Sequence, residues 1–417
     1  MTAAPKTSAN ASDTSAKPTL GVGRPMIVLL ATFTSIAPLA IDMLVPSAAA
    51  IAADLQARPE TAAAVMSVFF AGLACGQVLV GPLSDRFGRR GPIIGGLCVF
   101  LAASLLAASA QTPETLLAAR LLQALGASGV LVTARAVVRD TFDEHGAARF
   151  FSLLALVSGC APILAPALGA AFLTIAGWRS IFLFMALVAT AGLVGAIYVL
   201  KESRSAATAE SARKTNPALT YLTLLRNPRL AGYFLAGACI SGCFFTYVAN
   251  ASLIFVNTYG LSPGVLGLLV TINAVGLVGG SQLNRMVLAK RTPSEVLSAC
   301  AMIALALAAL LALFALTQAG GLAVFMTLIF CVVVLTSVLQ ANAMAGALSV
   351  DPTRAGAAAA LFGALAFGAG TLFSFTGGLL FDGTPRPAMF IIAGGLIGVA
   401  ASLKFLALPK REVEQTS

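Results

Sequence analysis

Between two apolar runs, residues 61–81 and 91–110, the chain reads Gly81-Pro-Leu-Ser-Asp-Arg-Phe-Gly-Arg-Arg90. A helix needs about 20 apolar residues to cross the hydrocarbon of a bilayer, so each flanking run is long enough to span. Gly81 and Gly88 permit a tight reversal, and basic residues collect on the cytoplasmic side of membrane spans. The stretch therefore reads as a short cytoplasmic turn joining two antiparallel spans, with Asp85 close to Arg86, Arg89 and Arg90. Charges packed this densely call for partners. One for Asp85 is the positive N-terminal end of a later span that begins beside Arg354 on the same side.

Composition extends this reading to the whole chain. Of 417 residues, 59% are apolar and 10% charged, with a mean hydropathy of +0.93, whereas soluble domains carry about 25% charged residues. A water-soluble globule is excluded. The net charge of +10 would point to nucleic acid in a soluble protein; spread between apolar runs, it reads as membrane orientation, and no nucleic-acid partner is expected. Runs bounded by charges, Pro or Gly give twelve spans, at 25–46, 61–81, 91–110, 114–136, 148–173 and 178–200, then 229–256, 263–283, 293–317, 321–346, 357–381 and 387–408.

The fold class that follows is an all-α integral membrane protein with two six-helix bundles, residues 24–200 and 229–408, joined by a cytoplasmic linker at 201–228. The linker carries Lys201, Arg204, Arg213, Lys214 and Arg226. Residues 1–23 lack the apolar core and cleavage site of a removable signal peptide and read as a disordered cytoplasmic tail; 409–417 form a second tail. With both termini cytoplasmic, the opposite side holds only Arg58, Arg179 and Arg386 of the basic residues, and Arg120 falls inside span four. Two six-span halves about an axis normal to the membrane are the layout of a transporter. The halves echo each other faintly, the turn at 81–90 being answered by Asn284-Arg-Met-Val-Leu-Ala-Lys-Arg291. No Gly-x-x-x-x-Gly-Lys-[Ser/Thr] phosphate loop occurs. Transport would draw on an ion gradient or run downhill, without a cofactor.

Charge inside a bilayer is costly and marks function by default. Asp42 in span one and Arg120 in span four are the clear cases. Asp42 lies about 6 Å below the end of a span that stops at Pro46, and Arg120 about 9 Å into its own span. Similar depths allow direct or water-mediated pairing, either as a fixed tie between helices or as a proton-coupling pair. Arg120 cannot itself be the carrier, because a guanidinium stays charged. In span five, Gly159, Pro162, Pro166 and Gly169 suit a bent, close-packed hinge. Phe244, Phe245, Tyr247, Asn250, Asn273, Gln340 and Asn342 in the second half, with Gln77 and Gln123 in the first, read as a mostly apolar cavity wall with a few polar groups. Each also suits interhelical packing. The seven cysteines show no metal-binding spacing and read as packing residues, while His145, beside Asp143 and Glu144, reads as a solvated loop residue.

At these residues the chain resembles the bicyclomycin-resistance (Bcr/CflA) group of drug/proton antiporters within the major facilitator superfamily, across nearly its whole length. The superfamily loop signature is matched by residues 81–90, and the span-one signature by Ile41-Asp-Met-Leu-Val-Pro46. Span four matches at Ala119-Arg-Leu-Leu-Gln-Ala-Leu-Gly126, followed by Ala134-Arg-Ala-Val-Val-Arg-Asp140. The span-five antiporter motif is similar to Ala161-Pro-Ile-Leu-Ala-Pro-Ala-Leu-Gly169, with Ala165 and Ala170 where glycine is common. Further likeness lies in Gly177-Trp-Arg-Ser-Ile-Phe182, Tyr259-Gly-Leu-Ser-Pro263 and Gln340-Ala-Asn-Ala-Met-Ala345. The resemblance implies the major facilitator fold, proton and substrate coupling at Asp42 supported by Arg120, and an inward gate governed by Asp85 and its arginines.

The sequence expectation is thus a multi-pass bacterial inner-membrane exporter, a functional monomer that exchanges an amphipathic small molecule or drug for protons by alternating access. The partners it names are that substrate, protons and the lipid bilayer. Two other readings stay open: a symporter or exporter for one metabolite, and a non-transporting membrane sensor on the same fold.

Overall fold

A computed structural model describes residues 24–141, 161–214 and 216–408. The two tails, His145, Gly159 and Cys160 lie outside them. Among the described residues the chain is helical, with no strand, and eleven helical segments are long and apolar enough to cross a membrane.

The first half holds α1 (Arg24–Asp42), α2 (Ala48–Asp54), α3 (Thr61–Phe87), α4 (Arg90–Ala108), α5 (Pro113–Thr141), α6 (Ala161–Ala176) and α7 (Arg179–Val199). The described part of span five is α6. Two short helices, α8 (Ala206–Lys214) and α9 (Pro217–Arg226), follow where the sequence reading has only a polar linker. The second half holds α10 (Pro228–Ser252), α11 (Pro263–Leu288), α12 (Pro293–Thr317), α13 (Gly321–Val350), α14 (Ala355–Leu379) and α15 (Arg386–Ser402). We call the face carrying the α3–α4 turn and the linker the basic side, and the opposite face the far side.

Span one does not stop at Pro46. α1 ends at Asp42, a single 3-10 turn Val45–Ser47 contains Pro46, and α2 continues to Asp54. Proline suits the first turn of a helix, where its missing N–H has no partner to lose, so Pro46 starts a new segment instead of ending the span. Asp42 therefore sits at an internal break, about 18 Å from the far end at Asp54 and not about 6 Å.

The turn at 81–90 is shorter than the sequence suggests. α3 runs through Gly81 and Pro82 to Phe87, leaving Gly88 and Arg89 as the reversal, with Gly88 at φ +106°. A proline inside a helix strips the carbonyl four residues earlier of its donor. Here that carbonyl is Val78 O, and the Tyr221 hydroxyl of α9 donates to it at 3.3 Å. Helix and linker are thus joined by the bond the proline removes.

In the first half α4 packs on α5 and α7, and α5 on α1 and α3; in the second, α10 packs on α13, α14 and α15, and α12 on α13 and α15. Between halves, α3 lies along α14. The far-side contacts are close: Ala49 N donates to Ser252 Oγ at 2.9 Å, and Ser67 and Ser374 share a hydrogen bond of 2.6 Å. Nearer mid-depth, Thr271 Oγ1 of α11 donates to Ile163 O of α6 at 3.1 Å.

Candidate functional site

Three helix segments meet at Asp42. Gly169 of α6 lies against the Met43 backbone, where an added Cβ would fall 2.7 Å from Met43 C and 2.8 Å from its Cα and closer still to its carbonyl oxygen. Only glycine lets α6 approach the break. From the second half come Tyr247 of α10 and Asn273 of α11, each roughly 15 Å from its far-side end and so near the depth of Asp42. Asn273 Nδ2 donates to Tyr247 Oη at 2.8 Å and to Leu269 O at 3.2 Å. The phenol oxygen is thereby an acceptor for Asn273, and its own proton is left for another group. Asn273 Oδ1 is buried without a partner. Asp42 is half-buried, its field reaches the Tyr247 phenol, and among the described residues nothing hydrogen-bonds or ion-pairs with its carboxylate.

Asp42 and Arg120 are not a pair. Arg179 shows why, because it levels the far side: its guanidinium donates to Asp54 Oδ2 at 2.7 Å and to Ala110 O at 3.0 Å. Measured from that level, Arg120 lies about 10 Å down α5 and Asp42 about 18 Å down span one. The sequence reading set them at similar depth, where pairing is possible, because it ended span one at Pro46. Arg120 is wholly buried and finds other partners: Nη1 donates to Gln123 Oε1 at 2.6 Å, Nε to Val65 O at 3.3 Å, and the guanidinium sits 4.0 Å from the centre of the Phe69 ring. Gln123 Nε2 in turn donates to Ser104 Oγ at 2.8 Å. Arg120 and Gln123 tie α3, α4 and α5 together; Gln123 is committed to this knot and is not a free cavity group.

The remaining wall candidates divide among several places. Phe245 stacks between Phe70 of α3 (4.2 Å between ring centres) and Phe367 of α14 (5.4 Å), with Phe244 beside it. Asn250 Nδ2 donates to Thr246 O and Ser374 O, so Asn250 belongs to the far-side contact between halves. Gln77 is buried against Gly363 of α14. Gln340 Nε2 donates to Ser241 Oγ at 3.2 Å and its Oε1 is buried without a partner. Asn342 is bound to Asn284 at 2.7 Å in the α11–α13 seam and does not join the Asp42 group. In α6, Ala165 is fully buried, and Pro166 O and Ala170 face Gly267 of α11, so alanine at 165 and 170 still permits close packing there.

On the basic side the charged motif closes on its own half. Arg89 is buried, and donates through Nε to Asp140 Oδ2 at 2.7 Å and through Nη1 to Asp85 Oδ1 and Ser84 Oγ. Burial opposes its charge, but Asp140 and Asp85 outweigh that and hold the guanidinium above its ordinary range. The pairing of Asp85 with the start of α14 is absent among the described residues; Arg354 there pairs with Asp351 at 3.7 Å. Arg86 is exposed, and Arg90 Nη2 donates to Ile197 O.

The partner that the sequence reading missed is Glu202. Its carboxylate accepts from Arg89 N at 2.8 Å, Arg90 N at 3.1 Å and Arg204 N at 3.0 Å, and so caps the start of α4. Desolvation alone would raise its pKa, but the backbone donors of Arg89, Arg204 and Arg90, with the Arg204 charge, hold it below the ordinary carboxylate range. Gly88 leaves room for it, since an added Cβ would meet Glu202 Oε2 at 2.6 Å. Nothing in the Lys201-Glu-Ser-Arg204 run marks Glu202 as more than one charge in a linker.

Comparison with known proteins adds lineage to this geometry. The family model for the major facilitator superfamily matches residues 29–374. The chain is 32% identical over 400 residues to the MFS-type transporter YdgK of Bacillus subtilis, covering 93% of this chain and 96% of that protein. It is 27% identical over 395 residues to the bicyclomycin resistance protein homolog of Haemophilus influenzae, covering 93% and 97%. With the multidrug resistance protein MdtL of Escherichia coli it shares 32% identity over 237 residues, 57% of this chain and 60% of that one. The crystal structure of a D-xylose-proton symporter has the same fold, with a TM-score of 0.71 at 16% identity over 93% of this chain and 98% of that one. Eleven membrane-length helical segments and the described part of span five, the charged turn after span two and these matches make one conclusion: the chain belongs to the major facilitator superfamily of membrane transporters, and is not an enzyme.

Proposed function

We propose that the chain exports amphipathic small molecules, drugs among them, in exchange for protons. The observation that carries this reading is the Asp42 carboxylate: at mid-depth, at a helix break, with no hydrogen bond or ion pair among the described residues, and near Tyr247 of the other half. A buried carboxylate kept for structure needs a fixed cation, because an unpaired charge in hydrocarbon is expensive. One without a fixed cation is suited to gaining and losing a proton as access changes. Relatives named for bicyclomycin and multidrug resistance support export of drugs.

The excess of Lys and Arg on the basic side supports placing it, with both termini, in the cytoplasm of a bacterial inner membrane. With the far-side contacts closed, Asp42 gives up its proton toward the cytoplasm and substrate binds; with them open, reprotonation from outside favours release. The energy comes from the gradient alone, with no cofactor, and each monomer supplies both halves of the cavity. The unpartnered acceptor at Asn273 Oδ1, with the Asp42 carboxylate, favours an apolar cargo that carries hydrogen-bond donors, such as a lipophilic amine.

The test is drug-driven proton release from inverted membrane vesicles with an imposed pH gradient, comparing wild type with Asp42→Asn. Drug-dependent collapse of the gradient that vanishes in the variant is the expected result. A variant that remains coupled refutes the role of Asp42, and a wild type inert to a broad panel of lipophilic amines and neutral drugs refutes drug export.

A further inference from the structure

On the outer flank of the second half, α11 and α12 each pack on α13 but barely on each other. Between them lies a crevice of about 630 Å³ at the basic-side end, walled by Leu283, Val287, Ile303, Phe330, Val334 and Val338. Leu283, Ile303 and Phe330 are exposed around it, on a surface that in a bilayer meets acyl chains. One buried polar side chain lines this apolar space. Asn342 Nδ2 donates to Val338 O, a group that only accepts, which fixes the orientation of the Asn342 amide. The same nitrogen donates to Asn284, so the Asn284 atom it meets is Oδ1. Asn284 Nδ2 is then left to the crevice, with no acceptor among the described residues, on a residue only 6% exposed.

Depth and charge name the missing acceptor. Asn284 lies about 6 Å inside the end of α11 at Leu288, and Arg291 just beyond that end. In a bilayer about 30 Å thick in hydrocarbon and about 40–45 Å overall, these are the ester and phosphate levels. The turn carries Arg285, Lys290 and Arg291 against Glu295. Glu295 caps α12 by accepting from Thr292 N at 2.9 Å, and its 4.0 Å pairing with Arg291 is solvent-exposed and weak. The mouth therefore stays positive.

We propose that this crevice binds one anionic phospholipid of the basic-side leaflet, its acyl chain between α11, α12 and α13, an ester carbonyl on Asn284 Nδ2 and its phosphate at Arg291. Basic pockets between spans on the cytoplasmic side are suited to such headgroups.

The test uses the full-length protein purified in detergent, incubated with phosphatidylglycerol or phosphatidylcholine, and assayed for retained lipid by native mass spectrometry. Ala299 lines the crevice at an exposed position, so Ala299→Phe fills it without disturbing the core. Wild type retains about one phosphatidylglycerol per chain and less phosphatidylcholine; Ala299→Phe retains neither above background, and Arg291→Gln loses about fivefold in phosphatidylglycerol and the preference with it. Monodispersity and an unchanged melting temperature establish that both variants are folded. Retention in Ala299→Phe equal to wild type overturns the proposal, as does displacement of the lipid by soluble glycerol phosphate, which would mark a free-anion site. Loss of tetraphenylphosphonium binding in Ala299→Phe with lipid retention unchanged overturns it too, and assigns the crevice to cargo.

Discussion

Replacing Gly169 by alanine drives one methyl into backbone. The new Cβ would sit 2.7 Å from Met43 C and 2.8 Å from Met43 Cα, where ordinary contact begins at 3.4 Å. The break in span one and α6 must part by at least about 0.7 Å, more along the Met43 carbonyl, and no side-chain rotation relieves it. Overpacking of this kind costs about 1–3 kcal/mol, and rigid backbone on both sides puts it at the upper end. The gain from alanine over glycine inside a helix is at most about 1 kcal/mol, so the net effect is a loss of about 1–2 kcal/mol. Asp42 is next to Met43, so the displacement also shifts the carboxylate from its place beside the Tyr247–Asn273 pair. Thermal unfolding in detergent by fluorescence-detected size exclusion reads the first effect, and drug-driven proton release reads the second. Gly95→Ala and Gly279→Ala, where nothing lies within 4 Å of the new Cβ, are the controls and leave both readouts at wild type. If Gly169→Ala melts and transports like these controls, the packing argument is wrong.

Arg120→Lys keeps the charge but loses the planar fork that reaches Gln123 and Val65 and the face that stacks on Phe69; a loss of about 2–3 kcal/mol in unfolding free energy follows, and an unchanged unfolding curve would contradict it. Glu202 is held below its ordinary value of 4.5 in the folded protein, so its stabilisation is present above pH 4.5 and fades as pH falls through the depressed value. The melting temperatures of wild type and Glu202→Gln should therefore differ at pH 7 and converge below pH 4.5; a gap independent of pH speaks against the carboxylate. Tyr221→Phe leaves Val78 O without a donor, worth about 1 kcal/mol, and should speed proteolysis in the linker about fivefold. Cleavage at the wild-type rate would mean that the bond is idle.

The apolar runs made the fold legible, because in a bilayer a helix must satisfy its backbone internally and its length is set by the hydrocarbon. Proline was the weak point. Read as a boundary at Pro46 and as part of a loop at Pro82, it proved in both places to lie within a continuing span, once by beginning a new helical segment and once by borrowing a donor from α9. The first of these errors carried the Asp42–Arg120 pairing with it, since depth was counted from the wrong end. Gln123 and Asn342 looked alike as amides facing a cavity, yet one holds Arg120 and the other Asn284, and only three-dimensional packing separates such roles. Glu202 was invisible for the opposite reason: its partners are backbone N–H groups at the start of α4, which no side-chain pattern announces.

The bond between Tyr221 and Val78 O makes two distant positions mutually contingent. With alanine in place of Pro82, α3 would supply its own N–H to Val78 O, and the tyrosine hydroxyl would become dispensable for that purpose. The cost of Tyr221→Phe should then vanish on a Pro82→Ala background, so the two changes are non-additive by about the worth of that one hydrogen bond. The same dependence would leave an imprint among relatives, in which the helix proline and the linker hydroxyl are gained or lost together.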